Sequence, residues 1–135
     1  MEFWATQPQA WAEATARPRC PATVMNEYVD WLAELGGVPV FVGFPAVFDF
    51  GFVNHYLLRY CGHNPFRRNA VDIRSFAMGV LGRGWRQTRL SSMPAQWTNG
   101  WKHEHTALGD ALEQGQLFMS IRKTAMSGMR SGGHE

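Results

Sequence analysis

Hydrophobic positions change their spacing several times along the chain, and each change marks an element. Val24, Tyr28, Trp31, Leu32 and Leu35 recur at helical intervals, which predicts an amphipathic helix. Gly36-Gly37 stops it with residues free to turn left-handed. Val40-Phe41-Val42 follows as a continuous apolar run between Pro39 and Gly43. Such a run predicts a strand covered on both faces, as in a parallel sheet, with Pro39 at its entry because proline cannot donate to the ladder. A helix is then predicted from Phe48 to Cys61, carrying Val53, Tyr56, Leu57 and Tyr60 on one stripe, with Asp49 on that stripe in the first turn. Ala70-Val71-Asp72-Ile73 predicts a second short strand, Arg74 to Leu81 a helix, and Gly82 to Gly100, which has no period, a loop. The last helix is predicted from Thr106 to Ile121, with Ala107, Leu108, Ala111, Leu112, Gly115 and Phe118 facing inward. Near the start, Thr6 is placed to cap a short helix with Pro8 in its first turn and Trp11 on its apolar side.

Helices and strands in this order make an α/β chain. Only two strands are visible, and both have the character of parallel strands. That is few for a sheet with both faces covered, so the sheet is expected to be incomplete. Its remainder would come from another chain or from residues before Met1. Residues 1–122 read as one partial domain, and residues 123–135, rich in Gly, Ser and basic side chains, as a flexible tail.

Composition narrows the class. A chain of 135 residues with 45% hydrophobic content can bury a core. The net charge of +2 is compatible with a polyanionic ligand without requiring one. Cys20 and Cys61 make no disulfide framework and no CxxC, so reduced thiols in a cytoplasmic protein are expected. No basic n-region precedes an apolar run at the N-terminus, and Val38 to Phe48 is too short and too broken by Pro39, Gly43 and Pro45 to span a membrane.

Two places spend polar groups unusually. Asp49 stands between Phe48 and Phe50, and His105 is followed at five positions by Asp110 among Ala, Leu and Gly. A carboxylate in apolar surroundings costs several kcal/mol unless paired or metal-bound, so two acids and an imidazole suggest a metal-assisted hydrolytic site. Local readings stand beside this one. Asp49 and Asp110 also suit a helix's first turn, and His105 suits a capping or surface position. His103 and His105 form an HxH pair, but no third and fourth ligand with zinc spacing is evident. Asp72 is expected to end its strand or satisfy local amides. Trp85, Arg86, Arg89 and Lys102 mix an aromatic with bases, as a solvated loop or as a contact for a phosphate backbone.

Phe41-Val-Gly-Phe-Pro-Ala-Val-Phe-Asp49-Phe-Gly-Phe52 and His105-Thr-Ala-Leu-Gly-Asp110-Ala-Leu-Glu-Gln114 resemble the second and third motifs of the DEDDh (DnaQ-like) 3′–5′ exonucleases, members of the ribonuclease H-like superfamily. Val71 to Ala77 resembles the strand-to-helix segment between those motifs, and the resemblance runs from about Trp4 to Phe118. It implies the C-terminal portion of a ribonuclease H-like fold, with two parallel strands and helices on both sides. It also implies hydrolysis of phosphodiesters at the 3′ end of single-stranded DNA or RNA, using two divalent cations, Mg²⁺ or Mn²⁺. Asp49 and Asp110 would be metal carboxylates and His105 the general base, roles that hard cations and an imidazole fit. Phe44 and Phe52 would be placed to stack on a 3′-terminal base, with core packing as the competing role. The family's first motif, Asp-x-Glu on the central strand, occurs nowhere in the chain. The missing strands are then expected before Met1, through a start placed too late or a true truncation. The alternative to an enzyme is a non-catalytic remnant of the fold that binds nucleic acid or a protein. A homodimer or a partner chain completing the sheet is expected in either case. Pro45 and Gly109 depart from common family residues, Asn and Asp, at positions outside the catalytic set.

Overall fold

The structure, a computed structural model, describes residues 2–98, 101 and 105–131. Its elements are α1 (Glu2–Thr6), α2 (Pro8–Ala16), α3 (Pro21–Glu34), β1 (Phe41–Gly43), α4 (Ala46–Cys61), β2 (Ala70–Asp72), α5 (Ile73–Leu81), α6 (Ala95–Thr98) and α7 (Ala107–Ser131), with two 3-10 turns at Trp85–Gln87 and Leu90–Ser92. β1 and β2 pair in parallel, Phe41 opposite Ala70, Val42 opposite Val71 and Gly43 opposite Asp72. The expected α/β arrangement is present, with the parallel pair at its centre.

Alternation along β1 divides the interior in two. Phe41 points to one side and Val42 to the other, as successive strand residues must. Phe41 packs with Leu32 of α3, Leu57 of α4 and Phe66, while Val42 packs against Ile73, Ala77, Met93, Trp97, Leu117 and Ile121. Helices α3 and α4 therefore cover one face, and α5, α6 and α7 the other. Leu57, Ile73, Leu117 and Ile121 are wholly buried, each contributing about 1.5–3 kcal/mol. At Gly43 a side chain has no room, because a Cβ would lie 3.0 Å from both the Ala46 Cα and the Phe41 ring. The Phe44–Pro45 bond that follows is cis.

Element ends follow local chemistry. Gly36 and Gly37 both take positive φ after α3, and Gly62 and Gly82 do so after α4 and α5. Several expectations need correction. Thr6 does not cap α2; Gln7 precedes it, and the Thr6 hydroxyl donates back to the Phe3 carbonyl. Trp11 is exposed, and Ala10 is the buried residue of that helix. On α3 the inward stripe is Met25, Tyr28, Val29 and Leu32, whereas Val24, Trp31 and Leu35 are exposed.

The largest differences lie beyond α5. The aperiodic segment after Gly82 is no plain loop, because Met93 and Trp97 enter the core and the Trp97 indole donates to Thr124 Oγ1 at 2.9 Å. On α7, Ala107, Leu108, Ala111, Leu112 and Gly115 face outward, while Leu117 and Ile121 face in beside half-buried Phe118. The helix also continues to Ser131, ten residues past Ile121. Arg122, Lys123, Ala125 and Met126 are good helix formers, and the hydroxyls of Thr124 and Ser127 bond back to carbonyls four residues earlier. Among the described residues no helix is long and apolar enough to cross a membrane.

Candidate active site

Parallel strands deliver their C-terminal ends to one edge, and helices that follow them start there. Asp72 ends β2 and joins the two starts. Its Oδ2 accepts from the Ala46 amide at 2.9 Å, opening α4, and its Oδ1 accepts from the Ser75 amide at 2.7 Å, capping α5. This is the local amide role expected for it, and it fixes where the first turn of α4 lies against the sheet. Asp49 sits in that turn, half-buried.

From the other end of the sequence, the charge of Asp110 acts on Asp49. Asp110 lies in the first turn of α7, half-buried, and its Oδ1 is buried with no hydrogen-bond partner among the described residues. Burial pushes the Asp49 carboxyl above the usual carboxylate range, and the charge of Asp110 raises it further. Two carboxylates thus share a partly desolvated space in which neither neutralises the other. Oxygen donors so arranged fit a hard divalent cation, which would relieve the repulsion and occupy the unpartnered oxygen. Among the described residues no group of three or more His, Cys, Asp or Glu side chains gathers at one point. Among the described residues, then, these two acids interact and no third joins them.

His105 lies just outside α7 with φ at +54°, a left-handed conformation uncommon for residues other than glycine but less so for histidine. It does not cap the helix. Thr106 does, its hydroxyl accepting from the Gly109 amide at 3.1 Å. The His105 ring meets the Phe3 ring edge-on at 5.5 Å. With Phe3, Trp4, Ala10, Glu13 and Asp110 it lines an open pocket of about 390 Å³ beneath α1 and α2. His103 and Lys102 lie outside the described residues.

The two aromatic candidates part company. Phe44 is half-buried and packs against the α5–α7 side of the core. Phe52 is 58% exposed and meets Phe48 edge-to-face at 5.2 Å. Glu113, one turn after Asp110 and half-buried on the same face of α7, was not singled out by the sequence pattern. Its spacing of three from Asp110 was the available signal.

No family model matches the chain. Over 106 residues it is 38% identical to a protein of Escherichia coli, 3′–5′ DNA exonuclease Cap18, a match covering 76% of this chain and 57% of that protein. Over that stretch the chain is similar to a 3′–5′ DNA exonuclease. It spans little more than half the length of this relative. That similarity gives the Asp49–Asp110 pair a context that geometry alone does not, because paired acids without a third ligand also occur as plain electrostatic strain.

Proposed function

We propose that this chain is the C-terminal portion of a ribonuclease H-like domain that removes nucleotides from the 3′ end of single-stranded nucleic acid. The observation that carries the reading is the meeting of Asp49 and Asp110 across sixty-one positions of sequence, in a chain related to a 3′–5′ DNA exonuclease. DNA is the favoured substrate on that kinship. Asp49 and Asp110 would hold divalent cations, Mg²⁺ or Mn²⁺, which when bound neutralise the phosphate and acidify coordinated water. His105 would accept the proton of the attacking water on a ring nitrogen, and Asp72 positions Asp49 by fixing the start of α4. Phe52, exposed beside Phe48, is better placed than Phe44 to meet a terminal base. The free thiols Cys20 and Cys61 agree with a cytoplasmic setting.

Catalysis needs more carboxylates than the described residues gather, so the complete site would draw on a further segment, in the same polypeptide or a partner. Two observations favour such a complement. Each strand of the two-stranded sheet has an unpaired edge among the described residues. Val47, Phe48, Phe52, Leu108 and Leu112 are exposed at 58% or more. The protein expressed from its whole reading frame should release nucleoside monophosphates from 5′-labelled single strands when Mg²⁺ or Mn²⁺ is added. His105→Ala should cut the rate roughly 10²–10⁴-fold, and Asp110→Ala should abolish it. Full activity in Asp110→Ala would sink the assignment.

Among the described residues two acids gather and no third, which favours a second reading for the chain on its own, a non-catalytic remnant that binds nucleic acid or protein. Calorimetric titration with Mn²⁺ separates the two. A tight two-ion isotherm for this chain alone contradicts the remnant, and absence of binding supports it.

A further inference from the structure

Charge along the chain is unevenly placed. Between Asp49 and Glu104 stand Arg59, Arg67, Arg68, Arg74, Arg83, Arg86, Arg89 and Lys102 against a single acid, Asp72. The Asp72 carboxylate is occupied by two backbone amides. A chain of net charge +2 therefore concentrates its positive charge on one continuous half of its sequence.

Within that half, one aromatic is held in an unusual way. The Arg74 guanidinium lies over the Trp85 ring, 4.1 Å from its centroid, and donates through Nη2 to the Trp85 carbonyl at 3.0 Å. The Thr88 hydroxyl donates to the same carbonyl at 2.7 Å. The Arg74 Nε is buried without a hydrogen-bond partner among the described residues, and the guanidinium faces the ring. A cation beneath one face of an indole is attracted to its π cloud and fixes it. Trp85 nevertheless remains 43% exposed. Core packing does not explain a large side chain that is pinned yet open. Arg86 and Arg89, exposed on the same loop, pair with no carboxylate among the described residues.

A chain of contacts links the platform to the candidate active site. Trp85 touches Arg74, Arg74 follows Asp72 by two residues, and Asp72 binds the first turn of α4, which carries Asp49. We propose that Trp85, backed by Arg74, stacks on a base of a single-stranded nucleic acid while Arg86 and Arg89 contact its neighbouring phosphates. The choice of a nucleic-acid strand over other anions rests on the exonuclease reading, but binding at Trp85 requires neither metal nor cleavage.

Fluorescence anisotropy of a labelled oligothymidylate, with the metal-free chain in chelator, tests the platform. Trp85→Ala should weaken binding roughly tenfold or more, the worth of one stacked base, and Trp85→Phe should stay within about threefold. On an abasic strand of the same length, wild type and Trp85→Ala should bind equally. The double variant R86Q/R89Q should lower the slope of log affinity against log salt by about 1.4, as two phosphate contacts require on a single strand. No binding by the wild type overturns the proposal. So does an equal Trp85→Ala loss on normal and abasic strands, or a slope change of the same size in the charge-matched R17Q/R19Q. Base-dependent binding by this chain, with no cleavage by the protein of the whole reading frame in Mg²⁺ or Mn²⁺, would refute the enzymatic reading and leave the platform standing; cleavage that ignores Trp85 would do the reverse.

Discussion

Burial and the charge of Asp110 hold the Asp49 carboxyl above its ordinary range in the metal-free protein. A group whose folded pKa exceeds its unfolded one adds stability below the unfolded value and loses it as pH rises through the folded value. Asp49→Asn is therefore expected to be more stable than wild type at neutral pH, with the difference fading as pH falls into the ordinary carboxylate range. Urea unfolding at pH 7 and at pH 3 measures this; an equal difference at both would show that Asp49 carries no electrostatic strain. Asp49, Asp72 and Asp110 were all visible in the sequence as acids in apolar company. Their roles differ because of what lies opposite. Asp72 finds two free helix amides, whereas Asp49 finds another acid. His105 and Thr106 show the same limit. Both suit a helix entrance, and the positive φ of His105 left the capping to Thr106.

Helix α7 carries two apolar stripes, and periodicity could not say which one is covered. Leu108 and Leu112 repeat with a helical period in its first half, Leu117 and Ile121 in its middle, and the fold packs the second set against α5 and α6. Leu117→Ala or Ile121→Ala should cost about 2–5 kcal/mol, the usual penalty for a buried cavity. Leu108→Ala and Leu112→Ala should each cost under about 1 kcal/mol in the isolated chain. Equal costs in denaturant unfolding would reverse the assignment of faces. Helix α4 was easier to read, since Gly62 ends it and Leu57 and Val53 of the expected stripe pack inward, although Tyr56 of that stripe is exposed.

Across the molecule, the aromatic surface is the main unfinished business. Val47 is 82% exposed, Phe48 63% and Phe52 58%, and apolar side chains grouped in the open mark a surface for association. Phe48→Ser with Phe52→Ser should reduce the concentration-dependent light scattering of the isolated chain without lowering its unfolding midpoint; scattering unchanged by the pair would place self-association elsewhere. By itself the sequence determined the helical and strand periods, the glycine stops, the α/β order and the acids worth watching, because these are local properties of spacing and backbone freedom. Tertiary structure decided which stripe of α7 is buried, that Trp97 leaves its aperiodic segment for the core, and that Asp49 meets Asp110 and Arg74 meets Trp85. Those outcomes depend on distant segments competing for the same space, a competition that spacing along one chain does not record.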